Sequence, residues 1–142
     1  MLRLSLISLV TCMSAGLLAY LNGHNPVTPE YVSRAMTYFL VRFQYVHFVV
    51  ASQDTSWCRK YVARDRKDVT IMEGNSAAVD MAALTLTDHM IVSIGTYGWW
   101  AGYLNPGMKT YMKDFIGANS DFSESFDDLN ATDYIYPGWV PL

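Results

Sequence analysis

The sequence has little cysteine, little charge and no surplus of positive residues. Its two cysteines, Cys12 and Cys58, exclude a disulfide framework and a C-x-x-C metal site, and they leave the compartment unread. A net charge of −3 argues against non-specific nucleic-acid binding, which needs a basic surface. His24, His47 and His89 are too scattered to suggest metal ligation, and His47 lies in a strand-like stretch where a core histidine is the plain reading. Asp88 beside His89 is adjacency only, because neighbours on a strand face opposite ways, and no Ser-His-Asp arrangement is recognisable. Internal repeats and low-complexity stretches are also lacking.

What is present describes one folded domain. About half the residues are apolar (51%), with ten tyrosines and four tryptophans, a composition that excludes a disordered or collagenous chain. Charge is uneven: Arg59, Lys60, Arg64, Arg66 and Lys67 crowd one segment, while Asp114, Asp121, Glu124, Asp127, Asp128 and Asp133 fall near the C-terminus. Each cluster reads first as a solvated face.

From Leu4 to Leu21 the chain carries no charge, and Arg3 precedes this run. Its length is near the minimum for a membrane span, so it reads first as a signal-anchor, with a cleaved signal and a buried segment as alternatives. On that reading residues 1–26 form an apolar leader and linker, and residues 27–142 form the domain. Asn130-Ala131-Thr132 is a glycosylation sequon, which suits a lumenal domain.

Thr28-Pro29-Glu30 supplies an N-cap, a proline at the first helical position and an early acid, and Val32, Ala35, Met36, Phe39, Leu40 and Phe43 recur at helical spacing. A helix is predicted over Pro29 to Phe43. Tyr45 to Ala51 has the continuous β-branched and aromatic content of a strand buried on both faces, parallel and central. Asp54 caps a short helix through Trp57 and Val62, Asp68 to Met72 forms a second strand, and Ser76 caps the helix before strand Met90 to Ile94. A fourth strand is expected at Met108 to Met112, after which an acidic, aromatic tail from Ser120 wraps the surface. Helices alternating with strands make an α/β fold, a Rossmann-like parallel sheet with helices on both faces.

Ligands of such sheets bind beyond the carboxyl ends of the strands. Three stretches qualify: Ser52 to Asp54, Glu73 to Ser76, and Ser93 to Gly98. The last is the most telling, because H-M-I-V-S-I-G-T-Y-G-W-W-A-G-Y-L (His89 to Leu104) runs from a strand through a glycine-punctuated turn into a helix start. Gly95 and Gly98 would let a diphosphate approach unpaired backbone N–H groups and the positive end of the helix dipole. Glycine turns are also simple punctuation between strand and helix. Asp80 is a further candidate, a carboxylate in an otherwise apolar helix stretch that can accept paired N–H donors from a guanine edge or stand exposed.

These stretches resemble, in order, the C-terminal half of the galactoside alpha-1,2-fucosyltransferases. His89 to Leu104 resembles that family's T-I-G-T-F-G-x-W-A-A-Y-L, and Phe48 to Cys58, F-V-V-A-S-Q-D-T-S-W-C, resembles its F-V-V-T-S-N-G-x-x-W-C. Asp80 in D-M-A-A-L-T-L-T-D-H stands where the family has D-F-A-L-L-T-Q-C-N-H, and Tyr134 to Trp139 resembles its closing F-L-P-E-W. The resemblance implies two Rossmann-like domains of GT-B type, GDP-fucose held mainly by the C-terminal one, and inverting transfer to the 2-hydroxyl of galactose without a required metal. It casts Ser93, Gly95, Thr96 and Gly98 as the diphosphate loop, Asp80 as the guanine or ribose acceptor, and Ser52, Asp54 and Trp57 as walls of the nucleotide pocket. It also implies a type II Golgi membrane protein with a lumenal catalytic domain. The family's upstream H-x-R-R-x-D motif has no counterpart among Arg3, Arg34, Arg42, Arg59, Arg64 and Arg66. The chain therefore reads as a fragmentary or degenerate member, or as a non-catalytic nucleotide-binding module of the same descent.

Overall fold

The structure is a computed structural model that describes residues 4–11, 23–93, 95–117, 120–126 and 131–142. Its strands are β1 (Ser5–Thr11), β2 (Val46–Ser52), β3 (Val69–Ile71), β4 (His89–Val92), β5 (Lys109–Tyr111) and β6 (Val140–Pro141). They form one sheet in the order β3-β2-β1-β4-β5-β6, and every pairing is parallel. Helices α1 (Pro29–Leu40), α2 (Thr55–Tyr61), α3 (Ala77–Thr85) and α4 (Thr96–Leu104) connect them.

Alternation along the strands builds two cores. On one face Ile7, Leu9, Phe48, Val50 and Ile91 meet Tyr31, Val32, Ala35, Met36 and Phe39 of α1 and Cys58 of α2. These α1 positions form one stripe at helical spacing, and the helix starts where Thr28 Oγ1 accepts the Tyr31 N–H at 3.1 Å. Burying Phe39 alone stabilises the fold by about 2–3 kcal/mol. On the other face Ala51, Met90 and Val92 meet Leu84 of α3, Ala101 of α4 and Trp139. The helices thus cover both faces of the sheet, as alternation of helix and strand along the sequence leads one to expect.

Two expectations need correction. The apolar run does not stand apart over Ser5–Thr11: β1 lies between β2 and β4, in register with both. The strand at Val46–Ser52 is parallel as read, but β1 takes the more central place assigned to it. An uncharged run reads equally as membrane span or doubly covered parallel strand, and only the neighbouring strands decide between them. Ser8, buried in β1, is satisfied because its hydroxyl lies 2.9 Å from Thr87 Oγ1, and Asn105 Nδ2 donates to the Thr87 carbonyl at 2.8 Å. Among the described residues no helix is long and apolar enough to cross a membrane. Residues 12–22 of the chain lie outside the described residues, and so do residues 127–130, which include the sequon's Asn130.

The tail also differs from its expectation. Instead of only covering the surface, it adds β6 beside β5 and buries Trp139 in the second core. Gly102 of α4 makes room for it: a Cβ there would stand 2.8 Å from the Trp139 ring and 2.9 Å from Val92.

Candidate functional site

Because all strands run in parallel, the residues that follow them share one edge. Tyr31 of α1 ties down the end of β4, its hydroxyl donating to the Val92 carbonyl at 2.6 Å within the core. Burial there pushes the Tyr31 phenol well above its ordinary range, despite its hydrogen bond with Thr110 and the Arg34 charge. Ser93 follows, 4% exposed, and its Oγ has no hydrogen-bond partner among the described residues. Ile94 is outside the described residues. Gly95 then takes a φ of 95°, a left-handed conformation that glycine adopts without steric cost.

Helix α4 starts here without a side-chain cap, whereas Thr28, Asp54 and Ser76 cap α1, α2 and α3. The first helical bond runs from the Trp99 N–H to the Gly95 carbonyl at 3.0 Å. The N–H groups of Thr96 and Gly98 therefore precede the first such bond, and the helix dipole adds positive potential at the same point. Ser93, Gly95, Trp99, Tyr111, Tyr134 and Trp139 enclose a chamber of about 10 Å³ beside this turn, room for about one water. The Trp139 Nε1 also lacks a partner. Further out, Thr96, Trp99, Trp100, Asp133 and Tyr134 line an open groove of about 280 Å³. Trp99 Nε1 donates to the Tyr134 carbonyl at 2.8 Å and so pins the tail to α4.

The structure groups the other expected residues differently. Ser52 ends β2 opposite Thr11, and Val92 pairs with Val10, so Ser52 and Ser93 flank the end of β1 at roughly 10 Å, two strand spacings. Ser52 Oγ accepts the Asp54 N–H at 3.0 Å, and Asp54 Oδ1 accepts the Trp57 N–H at 2.8 Å. These groups shape the entry to α2. Trp57 is half-buried and lies against Tyr61. Asp80 stands in the first turn of α3 and accepts from Asn75 Nδ2 at 3.1 Å, a placement that the positive helix end favours. Tyr97 joins the α3 and α4 starts by donating to the Ala77 carbonyl at 2.6 Å.

Trp139, Tyr134 and Trp99 border the chamber and are missing from the residues singled out in sequence. Their signal was the aromatic ending Tyr134 to Trp139, which by itself does not say that the tail returns to the sheet. The basic segment resolves into local pairs: Arg59 with Glu73, and Arg66 with Asp68 at 2.5 Å. The histidines serve structure, His24 against the Phe122 ring, His47 beside Thr70 Oγ1 and His89 accepting the Met108 N–H. No group of three or more His, Cys, Asp or Glu is placed to hold a metal among the described residues.

A larger hollow, about 650 Å³, lies at the opposite edge among Arg42, Gln44, Thr87, Asp88 and Gly107. There Asp88 Oδ2 accepts the Leu6 N–H at 2.8 Å and His89 Nδ1 the Met108 N–H at 3.0 Å, which stitch strand beginnings together. Ligands of parallel α/β sheets take the carboxyl edge, so size here does not mark the site.

The fold defines a Rossmann-like α/β domain, with the start of α4 on its carboxyl edge. The chain belongs to glycosyl transferase family 11, whose profile matches residues 23–141. It is 38% identical over 116 residues to the galactoside 2-alpha-L-fucosyltransferase Sec1 of Mus musculus, covering 79% of this chain and 30% of that protein. Against the galactoside alpha-(1,2)-fucosyltransferase 1 of Sus scrofa it is 37% identical, over 79% of this chain and 31% of the relative. The chain thus spans about a third of the length of these relatives. Among solved structures, a UDP-N-acetylglucosamine 2-epimerase covers 93% of this chain and 39% of its own at 12% identity, with a TM-score of 0.41.

Proposed function

We propose that this chain is the donor-binding part of a galactoside 2-alpha-L-fucosyltransferase. In this reading fucose passes from GDP-fucose to the 2-hydroxyl of a terminal galactose, with inversion. The bond from fucose C1 to the β-phosphate oxygen breaks, a bond from the galactose oxygen to C1 forms, the 2-hydroxyl proton passes to solvent, and GDP leaves with the negative charge. Backbone N–H groups of Thr96 and Gly98 and the Ser93 hydroxyl meet that charge, which stabilises the transition state without help from a metal. The observation that carries the reading is Ser93: among the described residues, a buried hydroxyl without a partner beside the one α-helix start that no side chain caps.

Asp80 serves as the guanine or ribose acceptor, and Ser52, Asp54 and Trp57 support the nucleotide through the α2 entry. The donor is GDP-fucose, the acceptor is a galactose-terminated glycan, and the setting is the Golgi lumen, with the protein held to the membrane. Calorimetric titration with GDP tests the site, and the reading expects saturable binding that Asp80→Ala weakens for GDP more than for UDP. No binding at millimolar GDP would overturn it.

A second reading is favoured by one observation: residues 4–33 contain no lysine or arginine, so no arginine stands between β1 and α1 to hold the departing diphosphate. Under it the chain binds nucleotide and does not turn over. A radiolabelled fucose-transfer assay on a galactoside separates the two, since transfer requires the enzyme reading.

A further inference from the structure

The groove beside the α4 start has a composition of its own. Trp100 is 53% exposed, yet its ring is braced edge-on by Trp99 (5.1 Å, 81°) and Tyr103 (5.7 Å, 85°). An indole so held is a flat apolar platform whose orientation is set before anything binds, which lowers the entropic cost of binding. Thr96, Trp99 and Trp100 share one helix face, as residues three and four apart do. Among the described residues, Asp133 supplies the groove with a carboxylate and Thr96 with a hydroxyl.

We infer that this groove is a subsite for a pyranose ring, with Trp100 under the ring's C–H face and Asp133 accepting from its hydroxyls. A pyranose has one apolar face and a rim of hydroxyl donors, and the groove offers one of each complement. Position selects a sugar over the guanine base. The groove begins at Thr96, whose own N–H is among those that would hold a diphosphate, and a base would lie a full ribose further away. This step rests on the donor-site reading for its choice of neighbour. The ring can come from the donor's fucose or from the acceptor's galactose, and the two sources are separable.

The test uses the whole chain with methyl β-galactoside, GDP and GDP-fucose as probes, followed by calorimetry and saturation-transfer NMR. Trp100→Ala is expected to weaken the galactoside roughly tenfold if the acceptor ring occupies the groove, or to erase the affinity gain of GDP-fucose over GDP if the donor ring does. Asp133→Asn is expected to follow it, losing roughly tenfold for a hydrogen bond to a charged group, while Trp100→Phe restores most of the affinity. Far-UV circular dichroism confirms that the variants fold. Unchanged affinities for both sugars in Trp100→Ala overturn the inference, as does an equal loss for GDP and GDP-fucose, which would make Trp100 a base platform. Wild-type chain that binds GDP but no sugar overturns this inference and leaves the donor reading intact. Chain that shows Trp100-dependent sugar binding without GDP binding does the reverse.

Discussion

Ser93 is a residue unfavourable for folding that the donor-site proposal makes useful for binding. A buried hydroxyl without a partner has lost its water and gained nothing in return, so removing it should not harm the fold. Ser93→Ala is therefore expected to leave urea stability unchanged or slightly raised, while GDP affinity drops about tenfold for loss of a hydrogen bond to a charged group. A variant that loses stability and keeps its affinity would assign Ser93 to the core instead. Gly102 makes the opposite case. Its missing Cβ leaves room for Trp139 and Val92, and Gly102→Ala should cost about 1–3 kcal/mol by overpacking, read as a lower urea midpoint. The sequence marks both residues as part of a glycine- and serine-bearing turn and helix. It does not tell which glycine makes room for Trp139, because that depends on a tail far along the chain.

At the level of elements, the caps are written locally and the structure keeps them. Thr28, Asp54 and Ser76 cap α1, α2 and α3 through bonds three residues long, so short-range spacing suffices to find them. Strand β1 is different. Its S-L-I-S-L-V-T has no turn or cap to announce it, and it joins the sheet through partners far along the chain, Val46 to Ser52 and His89 to Val92. Deleting residues 1–11 is expected to abolish cooperative unfolding and near-UV circular dichroism, since β2 and β4 would lose the strand that joins them. A dispensable leader would leave both signals in place. The tail follows the same rule: Val140 and Pro141 become β6 only because Thr110 and Tyr111 stand ready to pair with them.

For the molecule as a whole, two of the described groups bear on its response to acid. Burial holds the His24 imidazole below its usual value of 6.5. The folded chain keeps this ring neutral after the unfolded chain has begun to take up its proton, so stability is full above about pH 6.5 and falls as pH drops through it. Asp68 acts lower. Partial burial pushes its carboxyl up, but the Arg66 hydrogen bonds and charge outweigh this and leave it below the usual 3.8. Its contribution is present above that value and is lost as pH falls through the folded pKa. Urea midpoints measured from about pH 8 to about pH 3 should decline in two stages, and His24→Gln should flatten the first. A midpoint that rises on acidification between about pH 7 and about pH 5 would contradict the His24 assignment.

Sequence alone determined what is local or ordered along the chain: the alternation of helix and strand, the caps, the Ser93 to Gly98 turn, and the family that these motifs resemble. These follow from propensity, spacing and hydrogen bonds that close within a few residues. Only the tertiary structure decided that the first apolar run supplies a central strand, and that Trp139 and Tyr134 return to close the chamber at Ser93. Each of these depends on which distant segments share an edge or a face, and burial and pairing between such segments have no period in the sequence.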